Sequence, residues 1–110
     1  MEGFVRGEVV VLEFPFSNLS QSKRRPCFII KVPKGEDMIV CQITGISQEN
    51  SAEIPIKKDD FEKGNLKVDS FLRIDKIFSV EKSLIKYKVG LLKIEKTREI
   101  IERVCTFLKN

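Results

Sequence analysis

The sequence predicts a mainly β protein, an antiparallel all-β sandwich or small barrel whose strands are followed by one C-terminal helix. Three observations predict it. Apolar residues alternate or cluster in short segments, turn-forming residues separate those segments at close intervals, and only the last stretch changes to helical spacing. The chain has 110 residues, 42% hydrophobic and 33% charged, with no repeat or low-complexity tract. It is read as a single domain spanning 1–110, long enough to bury roughly two-thirds of its unfolded surface.

The first strand is predicted in "GEVVVLEFPF", residues 7–16, with Val9, Val11 and Glu13 on one side and Val10, Leu12, Phe14 and Phe16 on the other. Pro15 marks its end or an edge, and "SNLSQSKRR" reads as a polar loop. "PCFIIKVP" and "MIVCQIT" flank the turn signal "KGED" and predict a hairpin. "AEIPI" is a short strand in which Pro55 suggests an edge position. "KKDDFEKGNLKVDS" reads as a polar segment turning at Gly64 and Asn65, anchored on the core by Phe61 and Leu66. "FLRIDKIF" and "IKYKVGLL" are the last two predicted strands. From Thr97 to Leu108, Ile100, Ile101, Val104, Cys105 and Leu108 fall on one helical stripe, which must bury itself against an end or edge of the sheet.

Composition narrows the chemistry. The chain contains no histidine, the side chain that moves protons most readily near neutral pH, so any catalysis must use other groups. Its three cysteines, Cys27, Cys41 and Cys105, are far apart and lack a C-x-x-C spacing, which argues against zinc and favours a role as small core hydrophobes. No segment is long and apolar enough for a bilayer, and an acid and an arginine interrupt the N-terminal stretch, so a cytoplasmic protein without a membrane partner is expected. Net charge is +4, from 20 basic and 16 acidic residues, a mild lean toward polyanions. "SKRRP" concentrates that charge at the start of an apolar strand.

The order "GEVVVLEFPFSNLSQSKRRPCFIIKV", then "MIVCQIT", then "DFEKGNLKVDSFLRIDKIFSVEKSLI" resembles the MazF/PemK family of toxin-antitoxin ribonucleases over nearly the whole chain. The resemblance implies a small SH3-like antiparallel barrel with helical additions, usually a homodimer. It further implies cleavage of single-stranded RNA with no metal or other cofactor. A cognate antitoxin would lay an acidic, otherwise disordered tail across the basic groove. Matched residue by residue, the arginine before the family's proline falls on Arg25, and the hydroxyl ending its central strand on Thr44. Some members carry a carboxylate ahead of the R-P pair. The segment from Pro15 to Arg25 contains no acid, so that role does not transfer and no general base is assigned.

The chemistry asks for these residue types. Attack of a ribose 2′-hydroxyl on phosphorus gathers negative charge on the phosphoryl oxygens, which preorganised donors must meet. A guanidinium offers a planar fork that stays ionised, and Pro26 holds Arg25 in extended backbone. Thr44 would add a hydroxyl donor across the hairpin. Lys23, Arg24, Lys57, Lys58, Arg73 and Lys76 are candidate phosphate contacts and Phe16 a candidate base-stacking platform. For each the plainer alternative is a solvated charge or a core aromatic. The alternative function is a non-catalytic, protein-binding toxin of the gyrase-poison type on the same fold, with Arg25 structural. A passive nucleic-acid-binding module is the third. The tail "VCTFLKN" lacks tryptophan and ends in polar residues, which favours the ribonuclease over the poison.

Overall fold

The computed structural model describes residues 3–15 and 22–110. Among them, seven strands form one antiparallel sheet: β1 (Glu8–Pro15), β2 (Ser22–Lys31), β3 (Asp37–Thr44), β4 (Glu53–Ile56), β5 (Phe61–Gly64), β6 (Ser70–Glu81) and β7 (Ile85–Leu92). The helix α1 (Ile94–Lys109) follows. Strand order across the sheet is β4-β6-β3-β2-β1-β7-β5. The sheet curls, because its two edge strands meet over one core: Ile54 and Ile56 of β4 and Phe61 of β5 pack in the same cluster as Val9, Phe28, Ile43 and Leu72. Ile100 and Val104 of α1 complete that cluster. Each of these helix residues gains roughly 1.5–3 kcal/mol by leaving water, and that burial is what docks the helix.

A second cluster fills the other face, from Val10, Leu12, Cys27, Ile29, Met38, Val40, Val80 and Ile85. The central strands are therefore dry on both sides, which explains why β1 and β2 are nearly continuous in apolar residues. The pleat still alternates: Val9 enters the first cluster and Val10 and Leu12 the second.

Several expectations need correction. The polar segment before Pro26 is not loop up to Arg25, since β2 starts at Ser22 and pairs with β1 from Val9↔Phe28 to Pro15↔Ser22. A ladder is built of backbone groups, so cations can extend it wherever a partner strand already lies alongside. Pro55 does sit in an edge strand. Residues 61–64 form β5, hidden in the sequence by their polarity. Gly64 (φ +69°) pairs with Gly90, where an added Cβ would lie 2.2 Å from the Lys63 carbonyl oxygen, so the two glycines allow β5 to approach β7.

The helix begins three residues earlier than predicted, and its buried stripe is narrower: Thr97, Ile100 and Val104 are buried, Ile101 is partly so. Leu108 is 66% exposed, and Cys105 is exposed rather than in the core. Leu108 continues the stripe of Ile100 and Val104 into the last turn of the helix, and Cys105 lies to one side of that stripe. Cys27 and Cys41 are buried as expected, and burial pushes each thiol up to about 12, which leaves them protonated. Among the described residues no helix is long and apolar enough to cross a membrane.

Candidate active site on the face away from the helix

The strands β6, β3 and β2 are neighbours in the sheet, and three candidate side chains come from them. The β2–β3 register runs Phe28↔Cys41 and Cys27↔Gln42. Continued by two residues, it sets Arg25 opposite Thr44. The pleat puts both on the same side, since Cys27 shares its face with Arg25, Val40 shares its face with Thr44, and both belong to the cluster away from α1. Thr44 in turn pairs with Phe71 of β6, so this half-buried aromatic stands beside it. Arg73 lies one pleat repeat beyond Phe71 on that face.

The hydroxyl of Thr44 accepts a 3.3 Å hydrogen bond from the Ile46 backbone N–H. That bond uses an oxygen lone pair and leaves the hydroxyl hydrogen to be donated outward. Arg73 forms a two-pronged pair with Asp75, Nε to Oδ1 at 3.0 Å and Nη2 to Oδ2 at 2.8 Å. Its side chain is only 14% exposed, so this guanidinium is fixed in place. The pairing raises the affinity of Arg73 for its proton and holds the Asp75 carboxyl below the usual carboxylate range. Glu53 pairs across the edge strand with Arg73. Its carboxylate is also held low, first by the Gln48 N–H, then by the Ser47 hydroxyl and the Arg73 charge.

The remaining candidates divide. Lys23 is exposed and shares the face of Arg25 by the pleat of β2. Arg24 is turned to the opposite face, 3.6 Å from Glu13 Oε1, where Lys86 also reaches to 3.9 Å. It lines a cleft of about 450 Å³ with Val11, Pro26, Leu66 and Tyr87. Lys57 and Lys58 are exposed where β4 ends, two strands away from Thr44. Lys76 is exposed in the irregular part of β6, where the pairing jumps from Ile43↔Leu72 to Cys41↔Ile77. Phe16 lies outside the described residues.

Sequence reasoning missed Phe71, Asp75 and Glu53. Asp75 was within reach, because R-x-D in a strand puts both side chains on one face at hydrogen-bonding range. Phe71 and Glu53 depend on the register of β6 against β3 and β4, a non-local fact with no local sequence signal.

A family model described as PemK-like, MazF-like toxin of type II toxin-antitoxin systems matches residues 5–108. A search of curated protein sequences returned no significant match. Among solved structures, the fold is similar to an endoribonuclease in complex with its cognate antitoxin from Mycobacterial species. That match has 14% identity and a TM-score of 0.76, and covers 97% of this chain and 96% of the other. It is also similar to the Mycobacterium tuberculosis toxin MazF-mt6, at 17% identity and a TM-score of 0.71 over 93% and 96% of the two chains. A further endoribonuclease from Mycobacterial species shows 16% identity and a TM-score of 0.72 over 99% and 94%. At such identities the structures speak for the fold alone. The family match spans every strand and all but the last residue of the helix, and with it the chain belongs to the PemK-like, MazF-like toxins of type II toxin-antitoxin systems.

Proposed function

We propose that this toxin is a metal-independent, sequence-selective endoribonuclease that cuts single-stranded RNA. One observation carries the reading: on a single face, a hydroxyl on the middle strand is flanked by guanidinium-bearing strands on either side, Arg25 on β2 and Arg73 on β6. Such a row suits a phosphodiester. The Arg25 fork takes two phosphoryl oxygens, Thr44 donates its hydroxyl hydrogen, and Arg73 adds charge from the far side as negative charge builds up.

In this reading the ribose 2′-oxygen attacks phosphorus and the bond to the 5′-oxygen breaks. The leaving 5′-oxygen takes a proton from solvent water, and the products are a 2′,3′-cyclic phosphate and a 5′-hydroxyl end. Asp75, ionised at neutral pH, takes the 2′-proton as the phosphate competes for Arg73. A carboxylate held this low is a weak base, so alignment of the attacking oxygen must contribute much of the rate. Phe71 offers a stacking face beside Thr44, and Lys23, Lys57, Lys58 and Lys76 follow the backbone.

The reading takes residues 1–110 as one domain, acting in the cytoplasm as a homodimer. It includes a cognate antitoxin, which the fold's likeness to an endoribonuclease–antitoxin complex supports, and gives that antitoxin an acidic, disordered tail suited to the basic face.

The test uses a long single-stranded RNA in the presence of a chelator, with cut sites and end groups mapped. Cleavage yielding 5′-hydroxyl ends, lost when the nucleotide 5′ to the cut carries a 2′-deoxy sugar, is the expected result. Growth arrest by a protein that cuts no RNA would point instead to a protein-binding poison.

A further inference from the structure

The loop after Thr44 is tied down by one carboxylate. Glu53 accepts the Ser47 hydroxyl hydrogen on Oε1 at 2.8 Å and the Gln48 N–H on Oε2 at 2.5 Å. Ser47 Oγ in turn accepts the Glu49 N–H at 2.9 Å, and Glu49 sits in the left-handed region at φ 53°, a conformation that costs a non-glycine residue energy and needs such support. Further on, Asn50 Oδ1 accepts the Ala52 N–H at 2.9 Å and Arg103 of α1 donates to the Ser51 carbonyl at 2.8 Å. The result is a fixed loop whose tip, Ile46, stands 71% exposed two residues from Thr44. The same Glu53 faces Arg73 across the β4–β6 ladder.

We infer that Glu53 is a positioning and specificity-determining residue: its carboxylate fixes the 45–49 loop against Arg73, so that the Ile46 side chain meets a defined base next to the phosphate being cut. This rests on the endoribonuclease reading. Both carboxylate oxygens serve the loop while the charge lies across the ladder from Arg73, whose guanidinium Asp75 holds in place, so loop shape depends on one group set beside a fixed cation. An exposed β-branched side chain on a rigid loop discriminates bases by shape. On a slack loop it would tolerate any of them.

The experiment compares wild type, Glu53→Gln and Ser47→Ala on short RNAs carrying the preferred cleavage sequence and its single-base variants. It measures kcat and KM for each RNA and the melting temperature of each protein. Glu53→Gln keeps the size but loses the charge and one acceptor, and is expected to lower kcat/KM on the preferred sequence about tenfold. Cleavage of the variant sequences should fall much less, so that selectivity drops, with a melting temperature near wild type because the group is on the surface. Ser47→Ala removes one arm and is expected to shift selectivity in the same direction by a smaller factor. A uniform fall on all sequences, or no change in selectivity, would overturn the inference. If wild type cuts no RNA, the failure lies with the endoribonuclease reading itself.

Discussion

Arg24 and Arg25 follow one another in β2, yet the pleat sends them to different faces of the sheet and into different company. Arg24 faces the side of the first core, near Glu13, above a cleft floored by Val11 and Pro26. Its side chain is 60% exposed, and a pair of that kind is worth about 0–1 kcal/mol. Arg25 shares a face with Thr44, and the next strand brings Arg73 and Asp75 to it. In composition the two arginines are the same. What separates them is which strand lies alongside and which way the pleat turns, so a basic run identifies a nucleic-acid face only after the register is known.

The sharpest way to break this contrast is Arg25→Ala. Removing a preorganised donor to a developing phosphoryl charge is expected to lower the single-turnover cleavage rate by about 10²–10³-fold. Arg25→Lys should recover only part of it, since an ammonium is a point charge without the planar fork. Rates are measured under saturating protein on one RNA with a single cut site. A loss below about threefold would detach Arg25 from the chemistry and leave the face as a binding surface.

Thr44→Val comes next in size. The substitution keeps the β-branched shape that suits the strand end and removes one hydroxyl, so the fold should hold. A hydrogen bond to a charged group contributes about 1.5–3 kcal/mol, which corresponds to roughly 10–150-fold in rate. Thr44→Ser keeps the hydroxyl and should stay within several-fold of wild type. If valine and serine behave alike, the hydroxyl donates nothing to the phosphate and the row of three donors loses its centre.

Much of the fold was legible because its signals are local. The alternation of Val9 to Leu12, the prolines at strand ends and edges, and the helical spacing of Ile100 and Val104 each follow from neighbours in the chain. The parts that were not legible come from partners distant in sequence. β5 reads as a polar loop because its pairing with β7 rests on two glycines, Gly64 and Gly90, and not on apolar alternation. The first residues of β2 read as loop because β1 supplies the ladder. The candidate site shows the same division: Arg25 and Thr44 were proposed through the resemblance, and Asp75 was reachable through its spacing from Arg73. Glu53 and Phe71 needed the register of β6.

The smallest expected effect is the one that tests the division of faces most directly. Arg24→Ala removes a cation one residue from the proposed catalytic arginine, so a model based on local charge density predicts a clear loss. The pleat predicts otherwise. With its guanidinium on the far face beside Glu13, Arg24 lies off the path of the reacting phosphate, and kcat should stay within about twofold of wild type. Stability should change by no more than about 0.5 kcal/mol, as for most exposed surface positions. Any long-range pull that Arg24 exerts on the RNA acts through solvent and should vanish as ionic strength rises, because the Debye length contracts to about 8 Å near 0.15 M salt. A tenfold fall in kcat that persists in high salt would mean that Arg24 reaches the phosphate after all, and the assignment of opposite faces to the two arginines would be wrong.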